Sequence, residues 1–176
     1  MTSRRFTPMR PSIVLGCDPG YERLGVAVVA RLPGERGDKE QLLYSSCIRT
    51  PKELAFAERL KMIGSSFSTL IQKYKPDALA LENIFLVKNQ KTAMQVAEVR
   101  GVLTYLAASE NVPVFHYSPP EVKVAVTGYG GSSKAHVGAM VEKLVVLQKK
   151  KGRVDDELDA IAVALTCLAS TRNFPQ

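Results

Sequence analysis

Apolar residues fill positions 13–17, stop at Asp18-Pro19-Gly20 and resume over positions 24–29, so "IVLGCDPGYERLGVAVV" reads as two antiparallel strands joined by a turn. A polar connection, "RLPGERGDKEQ", leads to "LLYSSCIRT", which predicts a third strand extending the meander. Over residues 53–75 the period changes. Leu60, Ile63, Phe67, Leu70, Ile71 and Tyr74 recur at three and four, marking an amphipathic helix that Pro76 stops. "DALALENIF" then reads as a short strand carrying Glu82 near its end. "KTAMQVAEVRGVLTYLAASEN" is helical, its periodicity interrupted by Arg100-Gly101, and "VPVFHYS" returns to a strand.

"PPEVKVAVTG" fits a short helix whose prolines are tolerated in the first turn. The glycine-rich "GYGGSS" that follows has little to pack and is expected to order only on substrate. Ser132 or Ser133 caps a helix running through "KAHVGAMVEKLVVL". After the basic "QKKKGR", Asp155 or Asp156 opens a last helix, on which Ala160, Val163, Ala164 and Cys167 form a packed stripe. Three strands before any helix, then helix–strand alternation, predict an α/β protein with a mixed five-stranded sheet, three antiparallel strands followed by parallel ones, flanked by helices. No repeat or linker divides the 176 residues, so one domain is expected, with flexible ends at 1–11 (a basic tail) and 171–176.

Composition narrows the function. No apolar run approaches the ~20 residues a bilayer span needs, so no membrane partner is expected. Cys17, Cys47 and Cys167 lie far apart in apolar segments without a paired metal-ligand spacing, and are read as buried thiols of a reducing, cytoplasmic setting. A net charge of +7, from 24 Lys and Arg against 17 Asp and Glu, favours a polyanionic partner, with a basic surface kept for solubility as the plain alternative.

Four acids stand out because each adjoins apolar sequence: Asp18 and Glu82 at strand ends, and Asp156 and Asp159 on one face of the last helix. If the first and fourth strands are neighbours, their ends meet at one sheet edge and the helix can deliver its pair there. Like charges brought together repel unless cations sit among them. All-oxygen ligation suits Mg²⁺ or Mn²⁺, and neither the cysteines nor His116 and His136 make a zinc set. Taken singly, Asp18 is also an ordinary turn residue and Asp156 an acceptable helix cap.

Four ordered blocks, "GCDPGYERLGVAVV", "LALENIFLVKNQKTAMQVAEVRGVL", "YSPPEVKVAVTGYGGSSKAHVGAMV" and "DDELDAIAVALT", resemble the RuvC-type Holliday-junction resolvases of the retroviral integrase and ribonuclease H superfamily. The resemblance implies a ribonuclease H-like fold in which Asp18, Glu82, Asp156 and Asp159 hold two Mg²⁺ per active site, with Mn²⁺ as a substitute. It further implies a homodimer that nicks opposite strands of a four-way DNA junction during recombination and repair, leaving 5′-phosphate and 3′-hydroxyl ends. Phe85, Lys88, Lys123 and Lys134 fall at DNA-facing positions by the same likeness, Phe85 to stack on unpaired bases and the lysines to neutralise phosphate. A core phenylalanine and ordinary surface lysines are the alternatives. "AMQVAEVRGVL" matches the family's dimer-forming helix, although a helix that merely covers the sheet has the same pattern. A branch-migration helicase complex is a candidate partner.

Two features depart from the family pattern. Glu157-Leu158 stands where relatives carry small residues, so Glu157 is either a fifth carboxylate or a solvated one, and the Lys149–Lys151 run extends a connection that is usually shorter. Rival readings are an actin-like phosphotransferase, which needs two such domains, a catalytically silent junction-binding module, and a ribonuclease H-fold nuclease acting on RNA.

Overall fold

Residue size alternates along strand β1 (Ile13–Asp18), and because successive side chains point to opposite faces, that alternation gives the sheet one smooth face and one bulky one. In the computed structural model, which describes residues 12–32, 39–83, 90–146 and 154–171, β1 pairs antiparallel with β2 (Arg23–Leu32) and β2 with β3 (Lys39–Arg49). On its other side β1 pairs parallel with β4 (Ala78–Glu82), which pairs parallel with β5 (Val114–Tyr117). These are the five expected strands. A sixth, β6 (Val145–Val146), lies parallel to β3 and completes the order β5-β4-β1-β2-β3-β6.

The extra strand falls where periodicity carried a helix onward. Helix α4 (Lys134–Leu144) stops at Val145, whose backbone is extended at φ −119° and ψ 136°. Consecutive β-branched residues favour that conformation, and the open edge of β3 at Glu40 and Gln41 accepts them.

The remaining helices are α1 (Phe56–Tyr74), α2 (Gln90–Ser109), α3 (Pro119–Thr127) and α5 (Asp155–Ser170). Leu15, Leu24, Val26, Leu79 and Leu81 make the bulky face and pack against Ile63 and Phe67 of α1 and Val99 and Leu103 of α2. Ala27, Ala78 and Ala80 make the smooth face, on which α5 lies, covered in turn by Val122 and Val126 of α3 and Val137 and Val141 of α4. Every residue of α5 from 160 to 168 is buried, not only the expected stripe, because the helix is sandwiched between the sheet and two other helices.

Gly16 and Gly25 let α5 come this close. A Cβ on Gly16 would stand 2.8 Å from the backbone nitrogen of Ala164, and one on Gly25 would stand 2.8 Å from the carbonyl carbon of Asp156. Helix backbone therefore rests on strand backbone at both points.

Helix ends follow local chemistry. Ser118 accepts from the Glu121 backbone N–H, and the Glu121 carboxylate accepts from the Ser118 N–H at 2.7 Å, a reciprocal cap that starts α3 with its prolines in the first turn. Ser133, not Ser132, caps α4 by accepting from the His136 N–H at 3.2 Å. Ser132 is buried instead and shares a 2.7 Å hydrogen bond with the Thr127 hydroxyl, so the glycine-rich loop is tied more firmly than its composition predicts. Cys17 and Cys167 are buried free thiols, whereas Cys47 is only half-buried. Among the described residues no helix is long and apolar enough to cross a membrane.

Replacing Gly25 by Ala forces α5 off the sheet, and overpacking of this kind costs about 1–3 kcal/mol or more. Urea unfolding of Gly25→Ala is expected to show a correspondingly lower midpoint; a wild-type midpoint contradicts the close seating of the helix.

Candidate active site

Asp18 is the last residue of β1 and Glu82 the last of β4. These strands are parallel neighbours, with Cys17 beside Leu81, so both carboxyls emerge one step further on at the same edge. Asp18 lies two residues after Gly16 and Glu82 two after Ala80, which turns both toward the smooth face carrying α5. Strand alternation thus answers why apolar strands end in acids: the final side chain passes beyond the core and meets the start of a helix.

α5 supplies the other pair. Asp18 is paired in register with Gly25, and the Asp156 backbone rests on Gly25, so the first turn of α5 lies over the end of β1. Asp159 follows three residues later on the same helical face. Glu82 hydrogen-bonds Asp18 directly, and both Asp156 and Asp159 act on Asp18 through their charge. The four acids picked out in the sequence therefore converge.

Two cations enter with them. Lys134, at the start of α4, places Nζ 2.7 Å from Asp159 Oδ2. Arg23, at the start of β2, donates from Nη2 to Asp156 Oδ2, to which the Cys47 thiol also points at 3.5 Å. Arg23 was not singled out in the sequence, and Cys47 was read there only as a buried thiol. The signal was strand parity, since Arg23 shares a face with Gly25 and Cys47 is the residue opposite Gly25 on β3.

Burial and like charge shift the carboxyls. Asp18 is raised to about 6, chiefly by burial and then by Asp159 and Asp156, with Lys134 and the hydrogen bond from Glu82 opposing. Glu82 is raised to about 7, again by burial first and then by the Asp18 charge. Their mutual hydrogen bond lowers Asp18 and raises Glu82, so the two carboxyls titrate as a pair. Burial also raises Asp159, against the pull of Lys134.

The donor set, four carboxylates with the half-buried Cys47 thiol beside one of them, has the chemistry of a site for hard divalent cations. As the side chains stand, no three His, Cys, Asp or Glu among the described residues are arranged to hold one ion. Lys134 and Arg23 instead supply positive charge to the two helix acids.

Other expected site residues are placed differently. Lys123 is half-buried on α3 and pairs with none of the four acids. Phe85, Lys88 and the Lys149–Lys151 run lie outside the described residues. Glu157 is no fifth member of the cluster: it is 3% exposed and accepts a 2.7 Å hydrogen bond from the Ser45 hydroxyl on β3. One step around the helix from Asp156, it points into the packing and not over the sheet edge.

Comparison with known proteins adds a family. The family model for crossover junction endodeoxyribonuclease RuvC matches residues 14–167. A protein of that name from Thermotoga petrophila is 38% identical over 151 residues, covering 86% of this chain and 88% of the relative. One from Thermosipho melanesiensis is 40% identical over 161 residues, covering 92% and 99%. The solved structure of Thermus thermophilus RuvC in complex with Holliday junction substrate has a TM-score of 0.83 at 32% identity, over 92% of this chain and 95% of that one. The yeast mitochondrial Holliday junction resolvase Ydc2, at 15% identity and a TM-score of 0.70, shares the fold. The mixed sheet and its flanking helices are thus the ribonuclease H-like architecture of these structures.

The raised carboxyls make stability depend on pH. With folded values of about 6 and about 7 against ordinary values of 3.8 and 4.5, the folded protein binds these protons more tightly, so their stabilisation is present at low pH and lost as the pH rises through 6 and 7. Each carboxyl contributes roughly 3 kcal/mol at most. Urea unfolding in EDTA is expected to show stability falling from pH 5 to pH 8 more steeply than in an Asp18→Asn, Glu82→Gln double variant; equal slopes contradict the shifts.

Proposed function

Because the chain belongs to the RuvC family of crossover junction endodeoxyribonucleases, we propose that it resolves four-way DNA junctions by nicking them through metal-dependent phosphodiester hydrolysis. The observation that carries this reading is the meeting of Asp18, Glu82, Asp156 and Asp159, drawn from β1, β4 and α5, at one sheet edge. Such a cluster repels itself, and its all-oxygen chemistry calls for divalent cations.

Asp18, Glu82, Asp156 and Asp159 would hold two Mg²⁺ ions, with Mn²⁺ as a substitute. Divalent ions held there supply Lewis acidity and charge neutralisation to the scissile phosphate. The chain's own groups prepare the site. Burial raises Glu82 and Asp18, so cation binding there would be favoured as the pH rises and both carboxyls ionise. Lys134, 62% exposed at its side chain, can leave Asp159 and turn to the phosphate backbone. Arg23 holds the Asp156 carboxylate over the strand end. Lys123, Phe85 and Lys88 would contact DNA.

A homodimer would present two such sites to opposite strands of the junction. On α2, Met94 and Tyr105 are 67% and 71% exposed, large apolar groups on the helix that the resemblance assigns to the dimer. Selectivity then follows from shape, because only a branched molecule offers two strands at the spacing of paired sites. We place the activity in one cytoplasmic domain, with a branch-migration helicase complex as a candidate partner.

Asp18→Asn and Glu82→Gln are each expected to reduce nicking of a four-way junction in Mg²⁺ by on the order of 10³-fold while junction binding is kept. Gel assays of cleavage and of binding separate the two, and variants that cut at the wild-type rate refute the assignment. An RNA junction of matched sequence cut faster than DNA would move the activity to the other nucleic acid.

A further inference from the structure

Arg100 interrupts the apolar face of α2, and the structure shows where it goes. Its Nη2 donates to Asn83 Oδ1 at 3.1 Å and lies 2.9 Å from Nδ1 of His116. Its Nε is buried with no hydrogen-bond partner. Among the described residues no carboxylate pairs with this guanidinium; its only polar neighbours are an amide and an imidazole. Arg23, Arg31, Arg59 and Lys134, by contrast, each lie within 4.0 Å of an acid.

The place is specific. Asn83 directly follows Glu82, and its N–H donates to the Tyr117 carbonyl at 2.7 Å, while His116 sits beside Leu81 in the β4–β5 register. The cluster therefore occupies the same sheet edge as the four acids but the opposite face, the one covered by α2. His116 is exposed. Arg100 touches none of the four acids, and partial burial lowers its pKa, as expected for a cation that has lost water and gained no counter-charge. A half-buried charge balanced only by neutral groups is unfavourable unless an anion joins it.

We infer that Arg100, flanked by Asn83 and His116, is a seat for a DNA backbone phosphate outside the scissile position. The inference rests on the junction-nuclease reading, which supplies the anion. A guanidinium presents a planar fork suited to phosphate oxygens, and bonded to Asn83, the residue after Glu82, it would hold the strand that runs past the edge. The contact reads no base. It anchors the strand beside the active site.

Binding of a labelled four-way DNA junction in EDTA, followed by fluorescence anisotropy across a KCl series, tests it. Arg100→Gln is expected to bind several-fold more weakly and to lower the slope of log affinity against log salt by about one per protomer, whereas Arg100→Lys keeps the wild-type slope. If Arg100→Gln does not fold, His116→Glu, which sets a carboxylate against the same guanidinium, is expected to give the same loss of slope. A folded Arg100→Gln or His116→Glu with the wild-type slope overturns the inference, and makes Arg100 only a tie between α2 and the strand ends. Wild-type protein that does not bind the junction defeats the functional reading itself, and this inference with it.

Discussion

Four carboxyls at one sheet edge cannot all keep their charge at close quarters without compensation, and the local structure is organised around that constraint. Three kinds of compensation are present. Burial and like charge raise Glu82 and Asp18 so that they take up protons more readily, Lys134 reaches from α4 to Asp159, and Arg23 reaches from β2 to Asp156. A cluster assembled in this way is stable enough to fold and still prepared to bind positive charge.

The convergence is possible only because α5 sits unusually close to the sheet. Alternation puts Gly16, Gly25, Ala27, Ala78 and Ala80 on one face of β1, β2 and β4 and Leu15, Leu24, Leu79 and Leu81 on the other. The bulky face buries the larger side chains of α1 and α2, which supply much of the apolar core. The smooth face gives up side-chain volume so that the α5 backbone can touch Gly16 and Gly25. Packing and chemistry are therefore coupled: the glycines that seat the helix also set the height of Asp156 and Asp159 above Asp18.

The two faces of the edge then divide the work. The acids and Lys134 lie on the α5 side, while Arg100, Asn83 and His116 lie on the α2 side, one residue away along β4. Cations on the first side neutralise carboxylates inside the protein. On the second side, a cation with no acid partner among the described residues is left for a group from outside.

Much of this was legible in the order of residues. Five strands, five helices and the four acids follow from local rules, since a period of two or of 3.6 and the chemistry of Pro, Gly and Ser act over a few neighbouring positions. The family was legible for the same reason, as an ordered set of short blocks. What local pattern could not state was which partner each side chain meets. Glu157 reads as a candidate ligand beside Asp156, yet one step of helical rotation buries it against Ser45. Val145 and Val146 read as the end of a helix until the free edge of β3 is there to receive them. Arg23 and Cys47 join the site through the register of three strands, and Arg100 finds its place through the packing of α2 on β4 and β5. The sequence by itself determined the elements and the charged groups they carry; tertiary structure alone decided the pairings, because those depend on strand order and helix height, which are set by contacts between residues far apart in the chain.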